Sequence, residues 1–411
     1  MPWIVWGLAA FFFFSHYVVR VTPGIIVDSL KLAFVNTTEL HIGFLGAAFY
    51  LPYVLMQMPV GYLVDKFGPR LLLTFAVFLC GLSSLLFSFA SFLEIAILSR
   101  ILLGFCSATA FVGALKLITT WFKPQQLAFI VGITQALGMA GAAIGNGLVP
   151  HLIEMVGWRN AFILYSIVFF VLSVLIFTIV RNHPKNQASQ DSAPIKEQLP
   201  KGMIKSVLRS RYTWLNALFA GFLYAPADVM GELWGKQFLI NLHNITAHQA
   251  EIAVSLLFVG WAIGGPTAGA LADRFGRRPI MTLSSLCGLC LLPAIFYLPN
   301  ISYYGLMTLT FLFGLTNTGL IACYATSGEM HPSHVAGFSL AITNMFSVLV
   351  GAILMPLVGW LITYQAQSEI IDGMVRYSVH DYQKATLILP VCALIAFFIS
   401  FFIKETLNRS R

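Results

Sequence analysis

The chain has 411 residues, 58% of them hydrophobic and 10% charged, with a formal net charge of +8. A soluble domain carries about 25% charged residues, so a water-exposed globule of this size is excluded. Disorder is excluded by the same numbers, and six cysteines are too few for a disulfide-stapled secreted scaffold.

Twelve apolar segments predict an all-α membrane protein of twelve transmembrane helices: 3–30, 40–64, 70–92, 94–121, 125–149, 158–181, 211–234, 249–272, 278–299, 302–328, 334–363 and 383–403. They are numbered here as spans 1 to 12. The first lacks a basic leader and is too long for a cleaved signal peptide, so it reads as a retained helix. Sixteen of the 24 Lys and Arg fall in the loops after even-numbered spans and in the tails, against five on the opposite side. That bias places both termini in the cytoplasm and makes the positive charge a matter of topology, not of nucleic-acid binding. Pro184, Pro194 and Pro200 mark residues 182–210 as a flexible cytoplasmic linker. It separates an N-terminal six-helix bundle (1–181) from a C-terminal one (211–411).

The halves repeat. Gly61-x-x-x-Asp65-Lys66-x-Gly68-x-Arg70 recurs as Gly269-x-x-x-Asp273-Arg274-x-Gly276-x-Arg278, displaced by 208 residues, and the same offset pairs Trp6 with Trp214. Ile133-Thr134-Gln135 in span 5 corresponds to Ile342-Thr343-Asn344 in span 11. Two related halves place a binding site at their interface near the bilayer midplane.

On these residues the chain resembles the major facilitator superfamily over essentially its whole length. Arg100-x-x-x-Gly104 resembles the family's second motif, and Gly132, Gly138, Gly141, Gly145 and Gly147 its glycine-rich fifth helix. The resemblance implies two six-helix bundles related by a pseudo-two-fold axis. It also implies a latch between them on the cytoplasmic side, formed by Asp65, Lys66, Arg70 and Arg100 with Asp273, Arg274 and Arg278 as the second copy. Tyr17-x-x-Arg20 resembles the first helix of the organophosphate/phosphate antiporters, where that arginine holds phosphate.

Charge at membrane depth costs at least about 2.5–3.5 kcal/mol on insertion scales, so each such residue asks for a role. Arg20 in span 1 has Asp228 in span 7 as its counterpart under the 208 offset, a cation and an anion at equivalent positions. A guanidinium suits a carboxylate or phosphate in bidentate geometry. His16 lies one turn before Arg20 and can add a donor. Asp228 and Glu232 are one turn apart and can bind a proton, an ammonium group or Arg20 itself. Arg100 and Lys116 point about 160° apart around span 4, so only one can face the cavity. Lys116 either adds a second anion contact or snorkels toward the cytoplasm. Gln135 and Asn344, with Tyr17, Tyr224 and Trp261, complete the candidate lining.

All six cysteines fall in spans and read as small hydrophobes, and no histidines cluster at ligand spacing. No metal, cofactor or catalytic constellation is called for, so an enzyme is not expected. The expected function is alternating-access transport of a small carboxylate-bearing or zwitterionic solute, an amino acid, short peptide or organic acid. Proton-coupled uptake by a monomer in a bacterial inner membrane is the leading form. The alternatives are organic-anion or organophosphate exchange, efflux of a metabolite, siderophore or drug, and a membrane sensor built on the same fold.

Overall fold

The computed structural model describes residues 1–34, 37–183, 203–331, 333–364, 369–371 and 374–407. Residues 184–202 of the expected linker lie outside the described residues. Among those described, ten helices are long and apolar enough to cross a membrane, and eleven when Ile130–Gly147 and Val149–Val156, bent by 44°, count as one span. The stretch expected as span 7 stands apart from these ten. It runs as a helix Arg211–Val229, a π-helical turn Met230–Trp234 and a helix Gly235–His243, and it carries Asp228, Glu232 and Lys236. Span 10 is interrupted by a 3-10 turn at Asn317–Gly319. The only strands among the described residues form an antiparallel ribbon between spans 11 and 12, pairing Glu369–Ile371 with Met374–Arg376 so that Ile370 faces Val375.

The repeat read from sequence reappears as repeated local physics. Thr38 caps span 2 by accepting from the His41 backbone, in a reciprocal box, and Thr246, 208 residues on, does the same for span 8 with Gln249. Glu39–Ser88 is helical on both sides of Gly68, whose φ of 76° admits few residues but glycine; Gly276 repeats this at 112°. Each turn leaves backbone N–H groups unpaired at the start of the next span. In the first half Asn182 Oδ1 accepts from Arg70 N at 3.0 Å. In the second, the Glu405 carboxylate accepts from the N–H groups of Arg277 and Arg278, both at 3.0 Å. Close packing repeats too. A Cβ at Gly104 would lie 1.9 Å from the Phe49 carbonyl oxygen, and one at Gly314 would lie 1.9 Å from that of Leu257.

The expected flexible linker ends in structure: Met203–Arg209 is helical. Val207 buries itself against Ala217 and Ile342, and Leu208 accepts a hydrogen bond from Trp214 Nε1 at 2.8 Å. Those contacts give the chain enough buried surface to order before span 7.

One face of the molecule holds the chain start, where Trp3 meets Phe122 edge-on at 5.0 Å, and the turn in which Arg70 reaches the Phe177 carbonyl. We call it the terminal face, and the opposite one distal. The halves close on each other toward the distal face. Gly24 seats against the backbone of Glu232, Gly43 against Pro356, and Gly359 against the Glu39 carbonyl. Lys236 Nζ donates across the divide to Ile25 O at 2.9 Å, Gln237 to Asp28 at 3.1 Å, and Ser255 Oγ to Ala143 O at 2.8 Å.

Candidate functional site

Arg20 lies in the second half of helix Pro2–Ile25 and is 2% exposed. Its guanidinium crosses from the N-terminal half to span 7. Nε donates to Glu232 Oε2 at 2.7 Å, and Nη2 stands 2.5 Å from Glu232 Oε1 as a close ion pair without hydrogen-bond alignment, so the carboxylate is held at two points by one hydrogen bond and one charge contact. The same Nη2 donates to Tyr50 OH at 2.9 Å and lies 3.4 Å from Asp228 Oδ1. Tyr50 OH in turn donates to Glu232 Oε2. The rings of Tyr50 and Tyr17 sit 4.8 and 5.0 Å from the guanidinium carbon, adding cation–π attraction in a dry setting.

Local backbone choices make this meeting possible. Glu232 belongs to the π-helical turn, which fits an extra residue into the turn and so re-aims its side chain relative to Asp228. Gly24 lets span 1 approach the turn, since a Cβ there would lie 2.6 Å from Glu232 O. Asn146 of span 5 pins it from the side, donating to Gly231 O at 3.1 Å. Gly351 of span 11 leaves room for Asp228, whose Oδ2 is 2.6 Å from where a Cβ would stand.

Arg100 is drawn to span 1, not to the loop motif. It is 2% exposed, its Nη1 and Nη2 donate to Val19 O and Arg20 O at 3.3 and 3.0 Å, and it lies 5.1 Å from the centre of the Phe49 ring. It thereby holds the backbone from which Arg20 projects. Two buried cations and two buried carboxylates give this layer a formal charge of zero.

Toward the terminal face a neutral bridge follows. Asn344 Nδ2 donates to Gln57 Oε1 at 3.0 Å, joining span 11 to span 2, and Tyr324 OH donates to Asn344 Oδ1 at 2.9 Å. Tyr224 and Trp261 pack edge-on at 6.2 Å, and among the described residues neither the buried Trp261 indole N–H nor Asp228 Oδ2 has a hydrogen-bond partner. His16 packs between the rings of Phe13 and Tyr17 at 5.2 and 4.6 Å. Gln135 and Lys116 are half-buried on spans 5 and 4.

Among the described side chains, the contacts of Lys66, Arg70, Asp273, Arg274 and Arg278 fall within their own halves. Lys66 lies over Tyr62 and Phe67, Arg70 Nε donates to Phe177 O at 2.9 Å, and Arg274 lies over Phe275. The side chain of Asp65 lies outside the described residues. Asp273 pairs with Arg277, which also meets Glu329 at 2.8 Å, while Arg278 contributes its backbone N–H to Glu405. Sequence reasoning did not single out Arg277, Tyr50 or Gln57. A signal for span 2 was present: Tyr53 is the 208-residue counterpart of Trp261, and Tyr50, Tyr53 and Gln57 share one helical face.

The chain is 25% identical over 284 residues to the probable sulfoacetate transporter of Cupriavidus necator, covering 67% of this chain and 66% of that one, just under two thirds of its length. It is 21% identical to a probable hexose phosphate transport protein of Chlamydia muridarum, over 69% of this chain and 66% of that one. It is 20% identical to the probable galactarate/D-glucarate transporter of Escherichia coli, over 96% and 92%. Among solved structures, a bacterial homolog of the human lysosomal transporter Spinster superposes with a TM-score of 0.79 at 14% identity, covering 98% of this chain and 96% of that one. A D-xylose-proton symporter gives 0.74 at 18%, covering 98% of each chain. The model of the Major Facilitator Superfamily matches residues 5–355 and 235–406. With its duplicated loop motif, its bundle of apolar helices and a buried ion cluster between its halves, the chain belongs to the Major Facilitator Superfamily and is a multi-pass membrane protein.

Proposed function

We propose that the protein imports a small organic anion, a carboxylate or sulfonate, together with a proton, and that Arg20 is the anion clamp. The observation that carries this reading is the buried cluster in which Arg20 grips Glu232 in two-point fashion with Asp228 beside it. A bidentate guanidinium is equally suited to a solute carboxylate, so solute and acid compete for one partner. Displacing Glu232 as an anion would strand a charge in a dry site, at a cost of several kcal/mol. Protonation of the displaced carboxyl removes that cost. A monoanion entering a layer of net charge zero, accompanied by one proton, leaves the charge unchanged. This balance favours one-to-one symport of a monoanion.

Because both carboxylates already face Arg20, the geometry favours an organic acid over a zwitterion needing an anion of its own for its amine. The relatives above are named as probable transporters of sulfoacetate, hexose phosphate and galactarate/D-glucarate, all anions. Gln57, Asn344 and Tyr324 supply neutral hydrogen-bonding groups for the rest of the solute. With the termini in the cytoplasm, as the basic residues imply, the closed distal face looks outward and this is the state that releases cargo inward.

The test is uptake of labelled glucuronate, a monoanion, into proteoliposomes with and without an inward proton gradient. The expected result is gradient-driven accumulation that falls at least about tenfold in Arg20→Lys, which keeps charge and loses the fork. Accumulation in that variant equal to wild type refutes the clamp. A hexose phosphate exchanging against phosphate with no dependence on the gradient would favour the exchanger reading, to which the Tyr17-x-x-Arg20 resemblance points.

A further inference from the structure

We infer that His151 and His248 form a binding site for a divalent transition metal, zinc or nickel in class, which ties the two halves together at the distal face. His151 lies in helix Val149–Val156 after span 5, and His248 lies in the first turn of helix Ala247–Phe275. They therefore belong to different halves of the repeat. Their rings stand 5.0 Å apart between centroids, inclined by 51°. They overlook a groove of about 400 Å³ between spans 5 and 8, otherwise lined by small and aliphatic groups such as Ala143, Gly147, Leu148 and Ile252.

The spacing is that of two ligands of one ion. Imidazole nitrogen binds zinc at about 2.0–2.1 Å, which puts the ion roughly 3.2 Å from each ring centre, and a tetrahedral angle then separates the centres by roughly 5.2 Å. The rings are already at that distance. Glu154 Oε2 is 3.7 Å from His151 Nδ1, on the same short helix. That is ion-pair distance and beyond a hydrogen bond; a small side-chain rotation would bring this carboxylate into the contact that commonly orients a metal-bound imidazole and raises its basicity. Two imidazoles side by side gain little from one another, whereas a shared ion turns their proximity into a bond. Water completes the coordination shell at this half-exposed position.

The consequence is conformational. Opening the distal face must carry His151 away from His248, because each rides on its own half. An ion held by both therefore stabilises the distal-closed arrangement and slows transport by mass action on that state. The site lies apart from Arg20 and does not depend on which solute is carried.

The experiment uses zinc chloride and nickel chloride as probes on the purified full-length protein. Isothermal titration is expected to give one ion per chain with micromolar affinity. Binding should weaken at least tenfold in His151→Ala and in His248→Ala, and about tenfold in Glu154→Gln. All three variants should keep the metal-free melting temperature of the wild type, since the side chains reach solvent. In proteoliposomes, zinc on the distal side should slow transport reversibly on chelation, and neither histidine variant should respond. Undiminished affinity in either histidine variant overturns the site. Inhibition that persists in both variants, or full binding with transport unslowed, overturns the tie between halves.

Discussion

At the scale of single residues, the central cluster is a contest for one guanidinium. Glu232 holds Arg20 through both oxygens in this state, while Asp228 stands farther off at 3.4 Å. Replacing Glu232 by Gln leaves size and hydrogen bonding nearly unchanged and removes the competing anion. We expect Glu232→Gln to bind the solute anion at least as tightly as wild type, with binding that no longer strengthens as pH falls. Equilibrium binding between pH 5.5 and 8 checks this, and a pH dependence identical to wild type would exclude Glu232 as the coupled acid. The charged members of the cluster were legible in sequence because a charge at membrane depth is expensive and so announces itself. Tyr50 and Gln57 were not, since an uncharged polar side chain in a span carries no such cost and resembles many others. The relative standing of the two acids was also hidden. Helical spacing put Asp228 and Glu232 on one face, but the π-helical turn that gives Glu232 the closer contact has no sequence signature. Arg100 was visible as a charge, whereas its partners, two backbone carbonyls of span 1, are of a kind every residue possesses.

At the scale of elements, the caps show what the loop motif does physically. Gly68 and Gly276 turn the chain through a positive φ, and an acceptor from the end of the same half closes the exposed N–H groups beyond each. Glu405 does this with its carboxylate. Partial burial acts to raise its proton affinity. Hydrogen bonds from the backbone N–H groups of Leu407, Arg277, Arg278 and Thr406 outweigh that and hold it below its ordinary value of 4.5. A carboxyl lowered on folding takes up fewer protons in the folded than in the unfolded chain across this range. Its contribution is therefore complete above about pH 4.5 and is lost as pH falls through the folded-state value. The melting temperature in detergent should drop between pH 5 and 3, and Glu405→Gln should start lower at pH 7 and flatten that drop. An equally steep drop in the variant would assign the acid sensitivity elsewhere. Ten of the twelve expected segments, or eleven with the bent pair, were readable from hydropathy alone as helices able to span a membrane. The breaks in spans 7 and 10 and the helix Met203–Arg209 were not, because each depends on tertiary partners: Gly24 and Asn146 at the first, Ser284 accepting from Gly319 N at the second, Ala217 and Ile342 at the third.

At the scale of the whole molecule, the distal closure rests on backbones in near contact, and glycine is what permits it. Gly24→Val would push a branched side chain into the Glu232 carbonyl, 2.6 Å from where its Cβ must sit. The halves can relieve that overlap by separating, so the equilibrium should move toward the distal-open form. The check is the reaction rate of a Gln135→Cys reporter with a membrane-impermeant thiol reagent added from the distal side. It should rise severalfold in the Gly24→Val background, and an unchanged rate would show that the contact does not limit opening.

The pairing of Arg20 with its 208-residue counterpart Asp228 bears on ancestry as well as on chemistry. A symmetric dimer of one ancestral half would set like against like at this point: two guanidinium groups repelling, or two carboxylates with nothing to hold. Once the halves were two separate copies, each could mutate independently and the pair could acquire opposite charges. The attraction at the centre of this protein is thus a property that neither half could have evolved as the partner of its own identical twin.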